Sequence, residues 1–79
     1  MFNNKFQKIK EIIIIVLENS SMSTEVEISP ESFLREELGL DSLALAELAV
    51  RVEDEYGVDV FEDGLVNSVS EILNKIRYF

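Results

Sequence analysis

Apolar side chains recur at helical spacing in three separate stretches of this chain. In the first, from about Asn3 to Glu18, Phe6, Ile9, Ile13, Val16 and Leu17 repeat every three to four residues, with Lys5, Lys8 and Glu11 between them. That period marks one face of an amphipathic helix. The run Ile12-Ile13-Ile14-Ile15-Val16 inside it is β-branched, a composition that also suits a buried strand. The flanking polar spacing near 3.6 and the lack of an evident partner strand favour helix, and strand remains the alternative.

Asn19 to Pro30 is polar and Ser-rich and reads as a loop. Ser29-Pro30-Glu31 has the form of a helix start, with Ser as N-cap, Pro at the first position and an acid in the first turn. It predicts a turn or two ending by Gly39. Asp41 or Ser42 then caps a long helix to about Tyr56. Its apolar stripe is Leu45, Leu48, Ala49, Val52 and Tyr56, with Glu47, Arg51, Asp54 and Glu55 outward. Gly57 stands where a left-handed C-cap residue is expected.

Val58 to Phe61 reads as extended, and Glu62 to Val66 as a short helical turn. Ser68-Val69-Ser70-Glu71 is a capping box, in which the Glu reaches back to the N–H of the capping Ser. It opens a last helix to about Arg77, with Val69, Ile72, Leu73 and Ile76 inward. Lys75 and Arg77 suit its negative end. The aromatic residues Phe2, Phe6, Tyr78 and Phe79 are expected to pack the ends of the first and last helices together. The pattern predicts an all-α bundle of three main helices plus one short helix.

Composition narrows the function. The 79 residues fit one small domain, 1–79. Sixteen acids against seven bases, a net charge of −9, disfavour nucleic acid and anionic membranes as partners and suit a basic protein surface. The acid concentrates in the middle: residues 12–40 hold six acids against Arg35, and residues 41–64 hold eight against Arg51. There is no cysteine and no histidine, so a disulfide, a thiolate metal site, a Cys nucleophile and a His base are all excluded. No catalytic residue is assigned. Asp59, Asp63 and Gly64 match three positions of a calcium loop, but Phe61 and Ser70 break it, so no metal site is expected. The longest apolar run, Ile12 to Leu17, is too short for a membrane span or a signal peptide. The expected location is cytoplasmic.

The informative stretch is Leu38-Gly39-Leu40-Asp41-Ser42-Leu43, a glycine-ended loop followed by an Asp-Ser pair opening a helix. On spacing alone, Asp41-Ser42 is an N-cap like many others. Here the sequence resembles the acyl carrier protein family, whose attachment motif is LG(L/A)DSL, at every position. The resemblance spans nearly the whole chain, including Ser29-Pro30-Glu31-Ser32-Phe33-Leu34 before the motif and Ser68-Val69-Ser70-Glu71-Ile72 opening the last helix.

That resemblance implies a covalent 4′-phosphopantetheine arm on Ser42, moved there from coenzyme A by a phosphopantetheinyl transferase. The arm holds acyl or aminoacyl cargo as a thioester. Asp41 is implied to help the transferase place metal and coenzyme A, a role compatible with capping. Leu43, Glu47 and Val50 match positions that meet basic patches of downstream biosynthetic enzymes, although a charged face is also what any solvated helix presents. Ala44 stands where fatty-acid-synthesis members carry an acid. Arg51 interrupts the acidic face, Phe61 replaces a common Pro, and Val58 to Asn67 is short. These features resemble discrete carriers of specialised metabolism, of the polyketide or nonribosomal peptide type, served by an acyl- or aminoacyl-loading ligase. The expected carrier is a monomer and not an enzyme. Two readings compete with it. One is an unmodified acidic module that regulates a basic enzyme; the other is an oligomer assembled through the Ile run.

Overall fold

The computed structural model describes residues 4–62, 64 and 66–76. Three helices follow one another: α1 (Asn4–Asn19), α2 (Ser42–Tyr56) and α3 (Val69–Lys75). The Ile run is helical, which settles the ambiguity of the first segment. Its β-branched side chains divide between two environments. Ile12, Ile13 and Val16 are buried, Ile14 is partly covered and Ile15 reaches solvent. A strand would have alternated them strictly.

Helix α1 packs against both α2 and α3. Among the described residues, the backbones of α2 and α3 make no close approach to each other. The core joins Ile9, Ile13, Val16 and Leu17 of α1, Leu45, Leu48 and Val52 of α2, and Val69, Ile72 and the adjoining Ile76. Each such side chain contributes about 1.5–3 kcal/mol on full burial. The connecting segments add Ile28, Leu34, Leu38, Leu40, Val60 and Val66 to the same core. A segment that reads as polar loop and turn therefore closes the space that three helices leave open.

The expected fourth, short helix is absent among the described residues. Residues 34–38 form turns instead. Both the Glu37 and Leu38 N–H groups donate to the Phe33 carbonyl, and Leu40 N–H donates to the Leu34 carbonyl at 3.0 Å. Glu37 on Phe33 and Gly39 on Arg35 are α-type i→i−4 closures, but the wider Leu38–Phe33 and Leu40–Leu34 bonds interleave with them, so no run of consecutive α-type bonds forms. The turn stops at Gly39, whose φ of +82° is a left-handed conformation that a side chain resists. The expected start at Ser29 is also a single turn, with Ser32 N–H on the Ser29 carbonyl and Ser29 N–H on Ser32 Oγ.

Val58 to Phe61 is not extended. Val60 is buried, and Asp59 makes a local turn by accepting from Phe61 N–H at 3.0 Å. Turns at Glu62 and Gly64 follow, and the expected short turn over residues 62–66 lies partly outside the described residues. The last helix ends at Lys75 with Ile76 as cap. Phe2, Asp63, Arg77, Tyr78 and Phe79 lie outside the described residues, so of the expected aromatic ends only Phe6 is placed, packed against the core. No helix among the described residues is long and apolar enough to cross a membrane.

Candidate functional site

The segment before α2 is pinned at both ends. Downstream of Gly39, Leu40 is buried as an anchor. Upstream, Phe33 pairs with Ser68 in an isolated antiparallel bridge. Leu34 N–H donates to the Asn67 carbonyl at 2.8 Å, and Val69 N–H to the Ser32 carbonyl at 3.0 Å. This bridge ties the entry to α2 to the start of α3. Ser32 and Ser68, both buried, lie at that junction. Ser32 Oγ accepts from Ser29 N–H, and Ser68 Oγ accepts from Glu71 N–H.

The capping box of α3 is therefore present with one change. Glu71 reaches back to Asn67 N–H at 2.5 Å, one residue beyond the expected partner. The bridge to residues 32–34 flanks Ser68 on both sides and brings the Asn67 amide within reach of the carboxylate.

Asp41, not Ser42, caps α2. Its backbone is extended, and its carboxylate accepts from Ala44 N–H at 2.9 Å. Its carbonyl accepts the first intrahelical bond, from Leu45 N–H at 2.8 Å. Ser42 is thus the first helical residue, and its side chain is exposed. Leu43 beside it is 80% exposed, while Ala44 and Leu45 turn into the core. The first turn of a helix carries N–H groups without intrahelical acceptors and the positive end of the macrodipole. An anion esterified to a hydroxyl at this point is favoured by about 0.3–1 kcal/mol when exposed. With the hydroxyl outward and the cap bond carried by Asp41, the residues present fit a phosphodiester on Ser42.

Glu47 and Val50 sit further along α2, at i+4 and i+7 from Leu43, a spacing that puts the three on one face of the helix. Val50 is 64% exposed. Glu47 is engaged within the chain: its Oε2 accepts from Asn19 Nδ2 at 2.8 Å and from Arg51 Nε at 2.9 Å. These bonds, Asn19 first and Arg51 second, hold its carboxyl below the usual carboxylate range. The Glu47–Arg51 pair was legible as an i,i+4 spacing. The Asn19 bond was not, because nothing local sets its partner. Among the described residues no group of three or more acids converges as a metal site.

The family model described as "Phosphopantetheine attachment site" matches residues 7–76, from α1 through α3. The chain is 33% identical over 70 residues to an acyl carrier protein of Rickettsia bellii (strain RML369-C), covering 86% of this chain and 80% of the relative. It is 40% identical over 57 residues to an acyl carrier protein of Nitratidesulfovibrio vulgaris (strain DP4), covering 72% and 70%. With an acyl carrier protein of Thermobifida fusca (strain YX) it shares 34% over 53 residues, covering 65% and 67%. No solved structure matches at comparable significance.

Proposed function

The chain belongs to the acyl carrier protein family, whose members are carriers with a covalent 4′-phosphopantetheine, and from that membership we propose that Ser42 takes the arm. One observation carries the assignment: within the matched region, Ser42 presents an exposed hydroxyl as the first residue of α2. The bound group supplies a terminal thiol that holds acyl or aminoacyl cargo as a thioester.

The chain's own part is positional. Asp41 fixes the helix start by holding Ala44 N–H. Buried Leu40 and Ala44 clamp the backbone on either side of Ser42. Leu43, exposed beside Ser42, offers an apolar contact to the transferase and to enzymes acting on the cargo. No neighbouring base is needed on this chain, because the transferase activates the hydroxyl as it activates any protein substrate.

The carrier serves specialised biosynthesis in this reading, loaded by an acyl- or aminoacyl-activating ligase. Two features support it. Ala44 is a core residue, so the first turn of α2 lacks an acid there. Arg51 engages Glu47, so the acidic face is partly neutralised from within. Both weaken the match to basic patches built for a uniformly acidic helix.

Intact mass after incubation with coenzyme A, Mg²⁺ and a broad-specificity phosphopantetheinyl transferase tests the attachment. A gain of one phosphopantetheine, lost in Ser42→Ala, is expected. A gain that persists in Ser42→Ala overturns the assignment to Ser42. No gain, beside a control carrier that is modified, favours an unmodified interaction module. Offering the loaded chain a panel of amino, aryl and fatty acids with their activating ligases then tests the pathway.

A further inference from the structure

The bridge between Phe33 and Ser68 stands between two closures of the same design. Phe33 N–H donates to Glu37 Oε1 at 2.7 Å, and Glu37 N–H donates in return to the Phe33 carbonyl at 3.1 Å. Across the bridge, Asn67 N–H donates to Glu71 Oε1, and Glu71 N–H donates in return to Ser68 Oγ at 3.3 Å. Each carboxylate thus reaches back along its own segment to a backbone amide at the bridge. The two bridge bonds join the flanking residues, Leu34 N–H to the Asn67 carbonyl and Val69 N–H to the Ser32 carbonyl. Phe33 and Ser68 are therefore a non-hydrogen-bonded pair, and the Phe33 amide has no acceptor on the facing segment. Glu37 supplies it.

A pairing of two backbone bonds is marginal in water by itself. Bonds from a backbone amide to a carboxylate are charge-assisted and stronger than neutral ones. Here they fix both sides of a junction on which α2 depends. Among the described residues the backbones of α2 and α3 make no close approach, so the bridge is what links the start of α3 to the entry of α2. Between Glu37 and Ser42 the chain has little slack. Leu38 and Leu40 are buried, Gly39 N–H donates to the Arg35 carbonyl, and Leu40 N–H donates to the Leu34 carbonyl. The turn sets the direction in which Ser42 leaves the core, and the bridge holds the turn.

We propose that Glu37 and Glu71 are positioning residues for Ser42: their carboxylates brace the Phe33–Ser68 bridge, and through it the start of α3 fixes the turn that presents the Ser42 hydroxyl. The inference rests on the reading of Ser42 as the attachment residue. Neither carboxylate acts on the arm; each acts through the backbone it holds. A hydroxyl held in one orientation reacts faster than a mobile one, because the ordering is done before the transferase arrives. Removing either brace leaves Leu43 and the rest of α2 to meet the transferase as before and misdirects only the hydroxyl. The cost then falls on turnover rather than on recognition. Glu71, on a different helix from Ser42, thereby sets how fast Ser42 is loaded.

The test is steady-state transfer of phosphopantetheine to the full chain, with kcat and KM for the carrier measured separately, beside amide hydrogen exchange of the unmodified chain. Glu37→Ala and Glu71→Ala are expected to lower kcat about three- to tenfold with KM nearly unchanged. Glu37→Gln and Glu71→Gln keep an oxygen acceptor and are expected to restore most of the rate. Glu36→Ala removes an exposed neighbouring charge that takes no part in either closure and is expected to load like the unaltered chain. Glu71→Ala is also expected to speed exchange at the Leu34 and Leu40 amides, across the bridge from it. Circular dichroism checks the fold of each variant; should Glu37→Ala not fold, Glu71→Ala reads the same coupling from the other side. Unchanged kcat in the alanine variants, an equal loss in Glu36→Ala, a rise in KM alone, or Leu40 exchange unmoved by Glu71→Ala would overturn the proposal. An unaltered chain that takes no arm refutes the carrier reading, and exchange at Leu34 and Leu40 still decides whether α3 holds the turn.

Discussion

The side-chain amide of Asn19 donates to Glu47 Oε2 at 2.8 Å, joining the last residue of α1 to α2 across 28 positions of sequence. With Arg51 Nε on the same oxygen, the carboxylate is shared between two helices. The position that resemblance assigns to partner contact thus also holds the α1–α2 pair together.

The pH dependence of stability follows from that pairing. Glu47 has a lowered carboxyl pKa in the folded chain, through Asn19 first and Arg51 second. Its contribution is present above the ordinary carboxylate range and is lost as pH falls through the lowered folded value. Glu47→Gln therefore removes stability at pH 7 and much less at pH 3. Thermal unfolding of both proteins across that range should show the gap between them closing on acidification. A constant gap would mean that the charge on Glu47 contributes nothing.

Asp41 has two roles that substitution can separate. Asp41→Ala removes the cap on Ala44 N–H and should cost about 1 kcal/mol, read by urea unfolding. Asp41→Asn keeps a capping oxygen and should retain most of that stability. If Asp41 also assists the transferase, Asp41→Asn will accept phosphopantetheine more slowly despite its intact fold. Transfer at the original rate would leave capping as its whole role.

Leu48 is fully buried at the centre of α2. Leu48→Ala should destabilise by about 2–5 kcal/mol, through lost transfer energy and the cavity left behind. In a domain of this size that is a large part of the total. The expected readout is a strongly lowered urea midpoint with an unchanged slope.

Gly39 and Gly57 both have positive φ, +82° and +71°. Alanine at either should cost roughly 1–2 kcal/mol from backbone strain. At Gly39 the new Cβ would also meet Met22 Cε at 3.3 Å, whereas at Gly57 nothing lies within 4 Å. Met22 is flexible enough to yield, so the two losses in unfolding free energy should be similar. A much larger loss at Gly39 would show that the turn into α2 tolerates no adjustment.

Much of this organisation was legible along the chain because its causes are local. The period of Ile9, Ile13, Val16 and Leu17, the stripe of Leu45, Leu48 and Val52, the Gly57 cap and the Ser68 cap each depend on residues within a turn or two. The motif around Ser42 was legible for the same reason. Asp41 and Ser42 are both competent caps by residue type, and only the folded backbone decides for Asp41, whose carboxylate accepts from Ala44 N–H.

What the sequence determined by itself is the helices, the places where they start and stop, and the Ser hydroxyl at the opening of α2, all set by short-range periodicity and hydrogen bonding. Tertiary structure alone decided the rest. It placed Ile28, Leu34 and Leu38 in the core from a stretch without clear periodicity, since their burial depends on the gap left by three helices. It replaced the short helix with turns, because the backbone of residues 32–34 bonds to the distant start of α3. It also turned Glu47 toward Asn19 and put Ile15 and Val50 on the walls of one groove, relationships that arise only where α1 and α2 come together.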